Sequence, residues 1–214
     1  MRSLLILRLA ALPILILLGL PLAAAANPDD VKESFLTYKT AILTSNGEAA
    51  AGVVTQDSRD YFRKLADQAL TMDWDGLHQI HISDRLYAML LRHSLERDRL
   101  AAMSGSEVVS YAVEKGWIGK EGADQLQLGN YQVEGDVASG TILRPDGGET
   151  SFKMEFVKEE GRWLLDLVAL MKLTRAAFDY SIQQTGISED DFVMLMLEEV
   201  SGRKPSPDIW SPPL

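Results

Sequence analysis

The chain has 214 residues, with 31 acidic against 21 basic side chains for a net charge of −10, 46% hydrophobic residues and no cysteine. That length and apolar content exclude a disordered chain, and a single domain of this size buries roughly 70% of its extended surface without covalent staples. The acidity excludes phosphate backbones and anionic lipid as partners, since no Lys/Arg cluster offsets the repulsion, and the missing cysteines exclude disulfides and thiol chemistry.

The N-terminus reads as a secretory leader. Arg2 and Arg8 precede the uncharged stretch Leu9 to Leu22, which runs into Ala23 to Ala26, and cleavage is expected after Ala26. Pro13, Gly19 and Pro21 interrupt a membrane helix, so the reading is an exported protein, periplasmic or secreted, with no stable membrane insertion once the leader is cut. An uncleaved anchor is the alternative. Loss of Arg2 and Arg8 takes the net charge to about −12.

Val31, Phe35, Tyr38 and Ile42 recur at helical spacing behind Asp29 or Asp30 as N-cap. Asn46-Gly47 breaks that stripe and an Ala-rich turn runs to Val54. Asp57 or Ser58 then caps a helix that buries Tyr61, Phe62, Leu65, Ala66, Ala69 and Leu70, and the two helices are expected to pack as a pair. Asp73-Trp74-Asp75-Gly76 punctuates the chain. Ile80 and Ile82 alternate briefly, and Ser83 opens a helix carrying Leu86, Tyr87, Leu90 and Leu91, whose end from Arg92 to Arg99 is polar. Val108, Val109, Ala112 and Val113 form a further helical face that stops near Gly116.

Beyond the turn Gly116-Trp117-Ile118-Gly119 the character changes. Val137 to Leu143 favours strand, Pro145-Asp146-Gly147-Gly148 is turn chemistry, and Phe152, Met154 and Phe156 alternate with polar residues. A second turn at Glu159-Glu160-Gly161-Arg162 leads into Trp163 to Met171, apolar on both faces apart from Asp166, which predicts a central strand. Helix then resumes with Ala177, Phe178, Ser181 and Ile182 and is capped by Gly186. Ser188 and Asp191 suggest a capping box for a last helix carrying Phe192, Leu195, Met196 and Val200, ended by Gly202. Arg203 to Leu214 contains four prolines and reads as an irregular tail anchored by Ile209 and Trp210.

The expected organisation is a leader over 1–26, one α+β domain over 27–204 and a Pro-rich tail over 205–214. Two regions of it resemble the nuclear transport factor 2-like superfamily, the cone-shaped fold also seen in SnoaL-like polyketide cyclases and ketosteroid isomerases. One is the helical segment Val31 to Met72, with Phe35, Tyr38, Tyr61 and Phe62 on its inner faces; the other is the hairpin series ending Lys158 to Asp166. The resemblance covers about half the chain and implies a curved antiparallel sheet packed on the N-terminal helices. The stretch from Asp84 to Lys115 and the helices after Thr174 depart from the compact family pattern, as an insertion and a C-terminal extension. Members range from enzymes to binding modules, so the resemblance does not choose a function.

Three residues are the candidates for a site. Asp166 is a carboxylate in an apolar run, which costs several kcal/mol unless paired, hydrogen-bonded or solvated. Facing the cone it is a general acid or base; facing outward, or paired with Arg85 or Arg92, it is structural. Tyr38 offers a hydroxyl inside the cone or is core packing, and Trp163 lines a ligand cavity or anchors the core. His78 and His81 form an H-x-x-H pair that meets on one face of a helix but separates on a strand, so no metal is expected. His93 reads as a surface residue or a charge at a helix end. Nucleophile elbows and phosphate loops are missing, and no cofactor is expected. The leading expectation is an exported non-catalytic domain that binds a small apolar ligand or a protein partner through the cone or the Trp210 tail. The alternative is a small cyclase- or isomerase-type enzyme with Asp166 transferring a proton.

Overall fold

The computed structural model describes residues 27–118 and 120–213, apart from the side chains of residues 121, 174 and 177. The leader and its cleavage point lie outside these residues. Two long helices open the fold, α1 (Pro28–Leu43) and α3 (Gln56–Thr71), separated by the short α2 (Gly47–Ala51). The Ala-rich turn is therefore helical, capped by the side chain of Asn46, which accepts from the Ala49 N–H. Thr55, rather than Asp57 or Ser58, caps α3.

α4 (Trp74–His78), α5 (Ile82–Ser94), α6 (Arg97–Ala102), α7 (Gly105–Glu114) and α8 (Lys120–Gln125) follow. Ile80 and Ile82 do not form a strand: the His81 side chain caps α5 by accepting from the Ser83 N–H, so the helix starts one residue before Ser83. α7 begins with a full capping box between Ser104 and Glu107.

The sheet is antiparallel, in the order β1 (Leu128–Glu134), β2 (Val137–Leu143), β3 (Glu149–Glu159), β4 (Arg162–Leu165). It is curved and unclosed. Glu160 and Gly161, both at positive φ, form the two-residue turn that joins β3 to β4. α1 packs against both β1 and β4, the two ends of the sheet, so the concave face wraps the first helix. The fold class is thus α+β, a curved antiparallel sheet on N-terminal helices with further helices added.

The predicted central strand from Trp163 to Met171 is instead the four-residue edge strand β4 followed directly by α9 (Leu167–Thr185). Its two apolar faces have a different origin. The outer edge of β4 is closed by the Val53–Thr55 segment, since the Leu165 N–H donates to Val53 O at 2.9 Å and Leu165 O accepts from the Thr55 N–H at 3.0 Å. From Leu167 onward the apolar side chains belong to a helix, stitched to α3 where the Leu167 N–H donates to Ser58 Oγ at 2.8 Å.

α10 (Glu189–Ser201) packs on α5 and ends at Gly202 in the left-handed conformation. The tail docks, as its anchors predict. A 3₁₀ turn, Pro207–Trp210, buries Ile209 against α5, and Arg92 donates to Ile209 O at 2.8 Å. Among the described residues no helix is long and apolar enough to cross a membrane.

Candidate functional site

Asp166 caps α9. Its Oδ1 accepts from the backbone N–H of Val168 at 2.8 Å and of Ala169 at 3.1 Å, and its own N–H donates to Glu155 O at 2.9 Å. The carboxylate is solvated on one side, where it lines an open groove of about 440 Å³ with Phe152, Lys153, Glu155, Ala169 and Leu173. It faces neither the concave interior nor the expected arginines. Arg85 is engaged by Glu189 and Asp190, and Arg92 by three backbone carbonyls.

Tyr38 and Trp163 are buried together in the core cluster, with Phe35, Ile42, Val54, Ala138, Met154, Phe156 and Leu165 filling the space between α1 and the sheet. Burial, with a smaller contribution from Tyr87, pushes the Tyr38 phenol well above its ordinary value, so it stays protonated. The buried Trp163 indole N–H has no hydrogen-bond partner among the described residues, and Lys158 Nζ lies 5.8 Å from its ring centre. The structure therefore joins two of the three candidates in a packed core and leaves the third outside it.

The two histidines of the H-x-x-H pair fall on different elements and take different partners. His78, in α4, lies between the rings of Trp74 and Trp210 at 3.8 and 5.6 Å, and its Nε2 is 2.7 Å from Asp190 Oδ1. His81, capping α5, places Nε2 3.2 Å from Asp179 Oδ1 on α9. Among the described residues no three His, Asp or Glu side chains gather as a metal ion would require. His93 bonds Ser201 Oγ at 3.1 Å through Nε2; burial and then the Arg203 guanidinium hold its imidazole below the ordinary histidine range.

The densest polar arrangement escaped the sequence. The Tyr61 hydroxyl donates to Asp84 Oδ1 at 2.6 Å, Arg175 Nη2 reaches both oxygens of Asp84 at 2.9 and 3.2 Å, and Ser83 Oγ lies 3.2 Å from Asp84 Oδ1. Burial first, then Asp84, raises the Tyr61 phenol. The sequence shows only Ser83 at a helix start, because Tyr61 reads as core and Arg175 lies 91 residues from Asp84.

This arrangement contains the components of an acid–base–nucleophile relay. The Ser83 N–H donates to His81 Nδ1 at 3.2 Å, which makes that nitrogen an acceptor and puts the ring proton on Nε2, facing Asp179; Ser83 Oγ is 2.8 Å from the same Nδ1. A nucleophile must meet its substrate, however, and Ser83 has 0% solvent exposure. The group is a polar joint between α3, α5 and α9. Comparison with known proteins gives no match among family models, curated proteins or solved structures.

Proposed function

We propose that this protein is an exported, non-catalytic domain that binds a small apolar ligand, built on the cone-like plan of the nuclear transport factor 2-like superfamily. Export rests on the charged-then-apolar leader. The observation that carries the binding reading is the filled concave face: Tyr38, Phe156, Met154 and Trp163 occupy the volume that a cyclase or isomerase keeps open for substrate. Asp166, capping α9 outside that core, favours the binding reading over the enzyme alternative.

Apolar side chains instead line two openings. One is the groove where Phe152, 54% exposed, meets Leu173; the other is a cavity walled by Ile209, Pro212 and Pro213. Either suits a ligand whose apolar body leaves water on binding. The test is titration with the neutral fluorescent probe N-phenyl-1-naphthylamine. Saturable binding to the native protein is expected, weakened by Phe152→Ser if the groove is the site. Absence of saturable binding removes the reading.

A further inference from the structure

We propose that the cavity between the C-terminal tail and α5 binds a small amphiphilic monocarboxylate, its carboxylate on the Arg92 guanidinium and its apolar chain against Ile209, Pro212 and Pro213. This deepens the apolar-ligand reading and rests on it, naming the ligand class and choosing between the two openings.

The argument starts from a charge imbalance. Arg92 is buried, 8% exposed, and its three hydrogen-bond partners among the described residues are neutral: Nε donates to Ala69 O at 2.8 Å, Nη2 to Met72 O at 2.6 Å and Nη1 to Ile209 O at 2.8 Å. Ala69 and Met72 lie at the C-terminal end of α3, which supplies only a fraction of an elementary charge. Burial accordingly pushes the guanidinium down to about 10, and no carboxylate of the described residues opposes the shift. Arg85, two turns away on the same face of α5 and 3% exposed, has Glu189 and Asp190 at 3.2 and 3.5 Å. In a chain with 31 acidic residues, a buried cation served only by carbonyls among the described residues leaves room for an anion from outside.

The donors fit. A guanidinium carries five N–H groups, and three are used, leaving one on each Nη nitrogen for the two oxygens of a carboxylate. The cavity holds about 530 Å³, within the range of small-ligand sites, and Arg92 lines it with His93, Asp208, Ser211 and the apolar wall.

The same lining selects a monoanion. His93, held below the ordinary histidine range, adds no second positive charge near neutral pH. Asp208 also lines the cavity and places a negative charge on its wall, which repels a dianion such as phosphate about twice as strongly as a monoanion.

The experiment is calorimetric titration of the purified protein with octanoate, n-octanol and inorganic phosphate. Octanoate is expected to bind about tenfold or more tightly than octanol, the worth of a charge-assisted bidentate contact, and phosphate not to bind. Asp208→Asn should tighten octanoate several-fold, and Ser211→Trp, which fills the cavity from an exposed position, should abolish it without lowering the melting temperature. Arg92→Gln should abolish it too; if that variant does not fold, the Asp208 and Ser211 variants decide alone. Equal affinity for octanoate and octanol, or octanoate binding untouched by Ser211→Trp, overturns the assignment. If octanoate fails while N-phenyl-1-naphthylamine still binds in a Phe152-dependent way, this site is wrong and the apolar-ligand reading stands. If neither binds, both fall.

Discussion

Tyr61 and Asp84 share a 2.6 Å hydrogen bond between α3 and α5, and Arg175 closes on the same carboxylate from α9, so one acidic side chain ties three helices together. Asp84→Ala leaves a half-buried phenol and a guanidinium without their acceptor. The expected cost is about 2 kcal/mol, the range for losing a hydrogen-bonded charged partner. Urea unfolding measures it, and a change below about 0.5 kcal/mol would mean the joint is dispensable.

Asp166 acts through its oxygen, not its charge. Asn caps a helix as well as Asp, whereas Ala cannot cap at all. Asp166→Asn should therefore be near neutral and Asp166→Ala should cost about 1 kcal/mol. Were Asp166→Asn as damaging as Ala in denaturant melts, the carboxylate charge would have a role that capping does not explain.

The start of α7 lies directly on the backbone of α3. A Cβ at Gly105 collides with the Arg59 carbonyl oxygen, while one at Gly122 meets nothing within 4 Å. Gly105→Ala should cost about 3 kcal/mol, because backbone and not a flexible side chain has to move. Gly122→Ala, inside α8, should gain about 0.5 kcal/mol from helix propensity. Thermal melts of the two variants should shift in opposite directions.

The folded protein holds His93 below its ordinary value of 6.5. Between the two values the unfolded chain binds the proton and the folded chain does not, so His93 contributes a stability that is present above pH 6.5 and declines as the pH falls below it. His93→Gln, which can still bond Ser201, removes that contribution. The difference in urea midpoint between wild type and variant should therefore depend on pH between 5 and 8, with the wild type losing more on acidification. A pH-independent difference would show that His93 does not titrate across folding.

Much of the fold was readable because the apolar period reports burial locally. Val31, Phe35, Tyr38 and Ile42 place α1, and Phe152, Met154 and Phe156 place β3, since each stripe faces one core. β1 escaped because Gly129-Asn130 and the register shift beside them break its alternation, and its apolar residues are only half-buried. The β4–α9 boundary escaped for another reason. Trp163 to Met171 is apolar throughout, and a run of that kind does not tell a buried strand from the start of a helix; the deciding group is Asp166, a cap whose meaning depends on the N–H groups after it. The Tyr61–Asp84–Arg175 joint and the Arg92 carbonyl cradle join positions 20 or more residues apart, and nothing in a residue's immediate neighbours encodes such a meeting.

α9 follows β4 without a loop, yet among its described side chains only Leu167 is buried; Leu170, Phe178 and Ile182 pack half-buried, and Asp84–Arg175 and His81–Asp179 fasten the rest. A helix held by half-buried packing, one partly exposed ion pair and the His81–Asp179 hydrogen bond opens at a lower free energy than the packed core. Since Ala169 and Leu173 form one bank of the Phe152 groove, the width of that channel is set by where α9 lies and not by the core between the sheet and α1.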